Sequence, residues 1–211
     1  MSAGSCPTCG GEMVENNAGM NVCLPCFKLR AMGVPPLYLN AQLSATGTLR
    51  EALLSSDSLL LHGGTGRGKT YAAAALIRYR VENGIRGFMR FTTLPELLLD
   101  LRDTYRSGSE VSERQVIDGF STVGLLILDD VGAEKTSEAV RSSLHVLIDR
   151  RANDPQTRTI ITSNLGIMEI AGQHGQRIAS RIAGMCRIIK LSGPDRRLTQ
   201  TKSGAEPGEV R

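Results

Sequence analysis

Eight consecutive residues, Gly63-Gly64-Thr65-Gly66-Arg67-Gly68-Lys69-Thr70, fit the pattern G-x-x-x-x-G-K-[ST] at every fixed position. Glycines let backbone N–H groups curl around a phosphate, and the start of a following helix adds partial positive charge. Lys69 is then placed to reach β- and γ-phosphates, and the Thr70 hydroxyl to meet Mg²⁺. The chemistry is nucleotide-phosphate binding.

A second set of residues extends it. The apolar run Leu125-Leu126-Ile127-Leu128 ends in Asp129-Asp130. A carboxylate at the end of a parallel strand, beside a phosphate loop, is placed to hold the magnesium shell, and that role goes to Asp129. Asp130 either polarises the attacking water or caps a turn before Val131-Gly132. Asn164 closes Thr159-Ile160-Ile161-Thr162-Ser163 and brings an amide to the same edge, to orient water, sense a γ-phosphate or simply form a turn. Arg177 and Arg181 are four apart and share a helix face. Their planar forks suit phosphate, either their own nucleotide's or that of a neighbouring subunit, and a surface ion pair is the alternative. No guanine-selecting N-K-x-D occurs, which favours adenine and hence ATP.

A different chemistry opens the chain. Cys6-x-x-Cys9 and Cys23-x-x-Cys26 are two pairs separated by thirteen residues. Four thiolates so spaced converge on Zn²⁺, with Gly10 and Gly11 easing the knuckle. Four protein ligands leave no open coordination position, so the site is structural. About 30 residues cannot bury a sufficient core, and the metal carries most of their folding free energy. Four thiolates around zinc carry a formal −2, which lowers the chain's formal +4 to about +2. Protein docking is the favoured use of this module, with a pure folding staple as the alternative. Cys186, alone in a late apolar-basic run, reads as a small core residue.

The elements that position these groups alternate. Apolar runs predict strands over Ser58–His62, Gly87–Phe91, Val123–Leu128, Arg158–Thr162 and Cys186–Leu191. Helical spacing covers Leu49–Leu54, Ala72–Glu82, Leu94–Tyr105, a short stretch up to Asp118, Glu138–Arg150 and Gln176–Ile182. Ser107–Ser112 reads as a turn. The sum is an α/β sandwich with a mostly parallel sheet. The boundaries are a four-cysteine zinc module over 1–34, a main domain over 35–198 and a polar flexible tail over 199–211. A length of 211 residues suits one domain of roughly 150 residues plus a small module.

Aromatic residues make up only 4% and tryptophan is absent, so base stacking is not the main grip on nucleic acid. Between Arg177 and Lys202 there are seven basic residues and one acid, Asp195. That excess faces DNA phosphate, a nucleotide at a subunit joint, or only solvent. No run reaches the roughly 20 apolar residues of a membrane span, and the start lacks a secretory pattern. The expectation is a cytoplasmic protein with reduced cysteines and no membrane partner.

With these pieces assembled, the chain resembles the helicase-loader and transposition-helper branch of the AAA+ ATPases. The resemblance runs from about Pro35 to Arg197 and rests on GGTGRGKT, LLILDDVG, Thr162-Ser163-Asn164, the QRIASR of Gln176–Arg181 and the PDRR of Pro194–Arg197. It implies a P-loop three-layer sandwich with a minimal C-terminal lid. It implies ATP hydrolysis with Lys69 and Thr70 as Walker A and Asp129 and Asp130 as Walker B. Asn164 then matches sensor 1, Arg181 the arginine finger of an adjacent protomer with Arg177 in support, and Arg197 sensor 2. Tyr38, Leu39 and Asn40 match the stretch near adenine.

The family's usual Walker B pair is Asp-Glu, so Asp130 falls one methylene short and hydrolysis is expected to be slow without partners. The implied partners are a replicative DNA helicase, single-stranded DNA and further copies of the chain. A transposase helper and a nucleotide-gated adaptor with little hydrolysis are the alternatives.

Overall fold

The computed structural model describes residues 4–15, 20–44, 46–106, 108, 110–132 and 137–195. Arg197, the tail over 199–211, and Ser107 and Ser109 of the expected turn lie outside the described residues.

In chain order the elements are β1 (Val14–Glu15), β2 (Asn21–Val22), α1 (Leu24–Ala31), a 3₁₀ turn (Pro36–Tyr38), α2 (Gly47–Leu54), β3 (Ser58–His62) and α3 (Lys69–Glu82). Then come β4 (Met89–Thr93), α4 (Leu94–Asp103), α5 (Glu113–Ser121), β5 (Leu125–Asp129), α6 (Glu138–Asn153), β6 (Arg158–Ser163), α7 (Ile167–His174), α8 (Gln176–Met185) and β7 (Cys186–Lys190). The sequence-predicted strands and helices all form, with ends displaced by a few residues. Helices α1 and α7 are additions to that set.

Strands β4-β5-β6-β3-β7 make one parallel sheet in that order. Alternate residues of each strand feed two cores. Leu59, Leu61, Leu125, Ile127 and Ile160 face α3, whose buried run Ala72–Ala75 lets the helix lie close to the sheet. Leu60, Leu126, Leu128 and Ile161 face the layer built from α4 to α8. All five residues of β5 are buried because both faces are covered. The result is a three-layer α/β sandwich.

Capping boxes start two of the helices: Thr93 with Glu96 at α4, and Ser112 with Gln115 at α5. Buried arginines finish α2 and α5. Arg158 Nη2 donates to the carbonyls of Ala52 and Leu53 at the end of α2 (3.0 and 3.1 Å). Arg151 Nη1 donates to those of Phe120, Ser121 and Val123 around the end of α5 (2.9, 3.0 and 2.9 Å). Helix-end carbonyls have no intrahelical partner, so each guanidinium closes an end that the sheet has taken out of water.

The cysteine-bearing segment shares the first of these cores. Cys6, Cys23, Cys26 and Leu29 are buried in one cluster with Ala72–Ile77 of α3. Past α1, the Phe91 N–H of the edge strand β4 donates to Met32 O at 2.6 Å. A Cβ on Gly33 would stand 2.2 Å from Phe91 O, so only glycine fits there. No described helix is long and apolar enough to cross a membrane.

Candidate functional site

The order of the sheet places the loop after β3 beside the ends of β6 and β7, at a crevice where neighbouring strands continue in different directions. The loop takes its course from glycine. Gly63 has φ +137°, and a Cβ there would meet Leu191 O at 2.3 Å; Gly66 (φ +72°) and Gly68 (φ +83°) also occupy the left-handed region. Gly64 and Thr65 are exposed, whereas Arg67 and Thr70 are partly covered. Asp195, the last described residue, lays its carboxylate against Gly66.

Lys69 opens α3 and is buried. Its ammonium donates to Gly63 O (2.8 Å), Gly64 O (2.9 Å) and Asn164 Oδ1 (2.7 Å). These neutral oxygens keep the cation folded onto its own loop, where phosphate oxygens can exchange for them as stronger, charged acceptors. Asn164 follows β6 directly and is exposed.

Asp129 is 5% exposed and accepts a hydrogen bond from the Thr162 hydroxyl at 2.5 Å. Burial pushes its carboxyl above the usual carboxylate value. Hydrogen bonds from Thr162 and Thr70 and the charge of Lys69 oppose that shift, and the charge of Asp130 reinforces it. Thr70 Oγ and Asp129 thus share one point beneath the loop, an oxygen pair suited to a hard divalent cation.

Asp130 is exposed with φ +57°, the one non-glycine among the described residues in that region. Its N–H donates to Thr162 Oγ1 at 3.0 Å, and no described residue hydrogen-bonds its carboxylate. Thr162 therefore holds both acids, donating to one and accepting from the backbone of the next. Sequence reasoning missed it as a site residue. The available signal was register: Leu128 pairs Ile161, which sets Thr162 beside Asp129.

Arg177 and Arg181 lie on the other face of the sheet. Both line an open groove of about 870 Å³ between α6 and α8, together with His145, Gln176 and Met185. Arg181 Nε stands 2.7 Å from Asp149 Oδ1, an ion pair not aligned as a hydrogen bond. Neither arginine reaches the phosphate loop of its own chain by a hydrogen bond or ion pair. Tyr38 ends the 3₁₀ turn, and Leu39 is fully buried. The segment beyond is tied to α3 where Gln42 N donates to the Tyr71 hydroxyl at 3.0 Å.

The four N-terminal thiols converge, their sulfurs all within 4.8 Å of one another. Cys6–Cys26 and Cys9–Cys23 are 3.9 and 3.5 Å apart. A zinc tetrahedron with bonds of about 2.3 Å has edges of roughly 3.8 Å, so the donor set fits that ion. Gly10 (φ +72°) turns the first knuckle and returns its N–H to Cys6 O at 2.8 Å. A side chain on Gly11 would press on Cys9 Sγ at 3.3 Å.

Backbone N–H groups of Cys9 and Thr8 lower the Cys6 thiol to about 6, while burial raises those of Cys23 and Cys26. A bound cation draws all four toward the thiolate. Cys186 is separate, on β7, its thiol pushed up to about 12 by burial.

Among relatives, the chain is 25% identical over 165 residues to the replicative helicase loader DnaC of Escherichia coli, covering 71% of this chain and 66% of that one. It is 34% identical over 127 residues to an ATP-binding protein of insertion sequence IS1162 from Pseudomonas fluorescens, covering 60% and 52%. The chain spans half to two thirds of the length of the curated relatives it matches. The crystal structure of the DnaC helicase loader superposes with TM-score 0.62 at 24% identity, over 74% of this chain and 99% of that one, a likeness of fold. The model of the IstB-like ATP-binding proteins matches residues 49–204, about three quarters of the chain, and the protein belongs to that family.

Proposed function

We propose that this chain is a helicase-loader-like ATPase acting in DNA replication. It binds Mg-ATP at Gly63–Thr70, hydrolyses it, and passes the state of the nucleotide to a replicative helicase and single-stranded DNA. The observation that carries the reading is the convergence of Lys69 with Asn164, and of Thr70 with Asp129, at one crevice. Lys69 and the loop N–H groups cradle the phosphates, while Thr70 and Asp129 hold magnesium. Asp130, unencumbered at the rim, polarises the lytic water, and Asn164 positions it beside the γ-phosphate.

Arg181, with Arg177 beside it, faces away from its own loop and so serves the nucleotide of a neighbouring copy. Arg197 acts as sensor 2. Cys6, Cys9, Cys23 and Cys26 hold a structural zinc. The protein works as a homo-oligomer in the cytoplasm.

The test is steady-state hydrolysis by zinc-loaded protein, alone and with single-stranded DNA and the cognate helicase. Stimulation by those partners is expected. ATP binding that alters neither hydrolysis, assembly nor DNA affinity would end this reading.

A second reading, an ATPase helper of a transposase, is favoured by the family match and by the 34% identity to the insertion-sequence protein. Capture of partners from the native cell separates the two. Recovery of a transposase and no helicase decides for the second.

A further inference from the structure

His174 ends α7 and is 2% exposed. It shares a helix face with Ile170 and Ala171, which pack in the second core, where an apolar side chain would cost less to bury. Its ring reaches a backbone group: Nε2 stands 3.1 Å from Gly132 O. A carbonyl oxygen only accepts, so the ring carries a proton on Nε2 and donates it.

Gly132 is the third residue of the loop that begins at Asp130. Strand β6 fastens the first two. The Asp130 N–H donates to Thr162 Oγ1 at 3.0 Å and the Val131 N–H to Thr162 O at 2.8 Å, while the Ser163 hydroxyl donates to Val131 O. The third is held from a different element, by His174. Asp130 itself has φ +57°, which a non-glycine residue keeps only where its surroundings over-determine it. Its exposed carboxylate has no hydrogen bond from a described residue, so its aim is set by this backbone.

We propose that His174 is a positioning residue for Asp130, acting through the Gly132 carbonyl: it holds the far end of the loop, so that the carboxylate stands at the lytic water. The proposal rests on the role given to Asp130 above and adds a residue to it. The anchor itself is well fixed. Gly175 follows with φ +101°, α8 starts at the next residue, and Ile170 and Ala171 pack with Ile178, Ala179 and Ile182 in one cluster. His174 thus ties the loop of Asp130 to the corner from which α8 carries Arg177 and Arg181.

The experiment uses the full zinc-loaded chain and reads nucleotide affinity, single-turnover hydrolysis and thermal midpoint together. His174→Phe keeps a ring and removes the donor. A glutamine amide reaches about as far as Nε2, an asparagine amide only as far as Nδ1. His174→Phe and His174→Asn are expected to lower the hydrolysis rate by about 10–10²-fold with ATP affinity within about twofold of wild type, and His174→Gln to recover most of the loss. Ile170→Val, which loosens the same helix face without touching the hydrogen bond, is the control and is expected to change the rate far less. Because His174 acts through Asp130, adding His174→Phe to Asp130→Ala is expected to slow hydrolysis no further.

A wild-type rate in His174→Phe overturns the inference. So does a loss in the double variant equal to the sum of the single losses, or a loss that follows the thermal midpoint alike in all variants. If His174→Phe does not fold, the two amides decide: glutamine faster than asparagine by about tenfold supports the positioning role, and equal rates overturn it. Asp130→Ala that hydrolyses ATP as wild type does overturns the reading of Asp130 together with this inference, whereas a slow Asp130→Ala beside an unaffected His174→Phe overturns only the inference.

Discussion

Lys69 Nζ and Asn164 Oδ1 are 2.7 Å apart although 95 residues separate them in the chain. One stands at the start of the helix after β3 and the other just past the end of β6, and the pairing of those adjacent strands, His62 opposite Ser163, brings them together. In the proposed function, the cation that binds phosphate is thus held by the amide that responds to the γ-phosphate, and phosphate oxygens exchanging for Asn164 Oδ1 on Lys69 would free that amide.

Replacing that amide separates binding from turnover. Asn164→Ala is expected to lower kcat by about 10²-fold, the scale of removing one preorganised polar group from a reacting centre. Lys69 keeps its two loop carbonyls, so nucleotide affinity should change little. Nucleotide titration beside steady-state hydrolysis checks this, and turnover at the wild-type rate would remove Asn164 from the chemistry.

Asp129 makes a pH-dependent prediction. Its carboxyl is raised in the folded, metal-free protein, so it favours the protonated form there. Its stabilising contribution is complete below the unfolded value near 4 and is lost as pH rises through the folded value. Asp129→Asn removes that loss. Without Mg²⁺, its thermal midpoint should exceed that of wild type at pH 7 and converge with it near pH 4. With Mg-ATP the order reverses, because only wild type gains the cation. Parallel midpoints across pH would show that the burial of Asp129 carries no such penalty.

Thr162→Val tests the hydroxyl that joins the two acids. The exchange conserves shape, but strips a hydrogen bond from buried Asp129 and an acceptor from the Asp130 N–H. A loss of about 1–3 kcal/mol is expected in urea unfolding, with weaker Mg²⁺ dependence of nucleotide binding. An unchanged Mg²⁺ dependence would mean that the position of Asp129 is set by strand pairing alone.

Much of this was readable beforehand, for identifiable reasons. β3 and β5 are apolar runs bounded by loop residues, and a strand buried on both faces has to look like that. The glycines of the phosphate loop announce a local backbone geometry. What escaped is non-local or weakly signalled. Helix α1 begins Leu24-Pro25-Cys26, where the C-x-x-C spacing and a proline obscure the helical pattern, and α7 spans eight residues including Gly172. Thr162 acquires its place only through the β5–β6 register. The docking of the cysteine module on α3 depends on Leu29 meeting an alanine run over forty residues later, which no spacing rule encodes.

The groove that holds Arg177 and Arg181 gives the prediction that bears most on mechanism. In the single chain Arg181 faces Asp149 on α6, half exposed and with no hydrogen bond or ion pair to its own phosphate loop. A half-exposed pair that is not aligned as a hydrogen bond is weak, roughly 0–1 kcal/mol, so it yields readily to a phosphate presented from outside. If a second copy presents its loop there, Arg181 completes a site that no single chain contains. Lys69→Ala and Arg181→Ala should each lose hydrolysis, the second by about 10³-fold or more, while Arg181→Ala still binds ATP. Mixed together, they form joints in which an intact loop from the Arg181→Ala copy meets an intact arginine from the Lys69→Ala copy, and activity should return in proportion to such joints. A mixture as silent as its components, under conditions where wild type assembles and hydrolyses ATP, assigns Arg181 to its contact with Asp149 and nothing more.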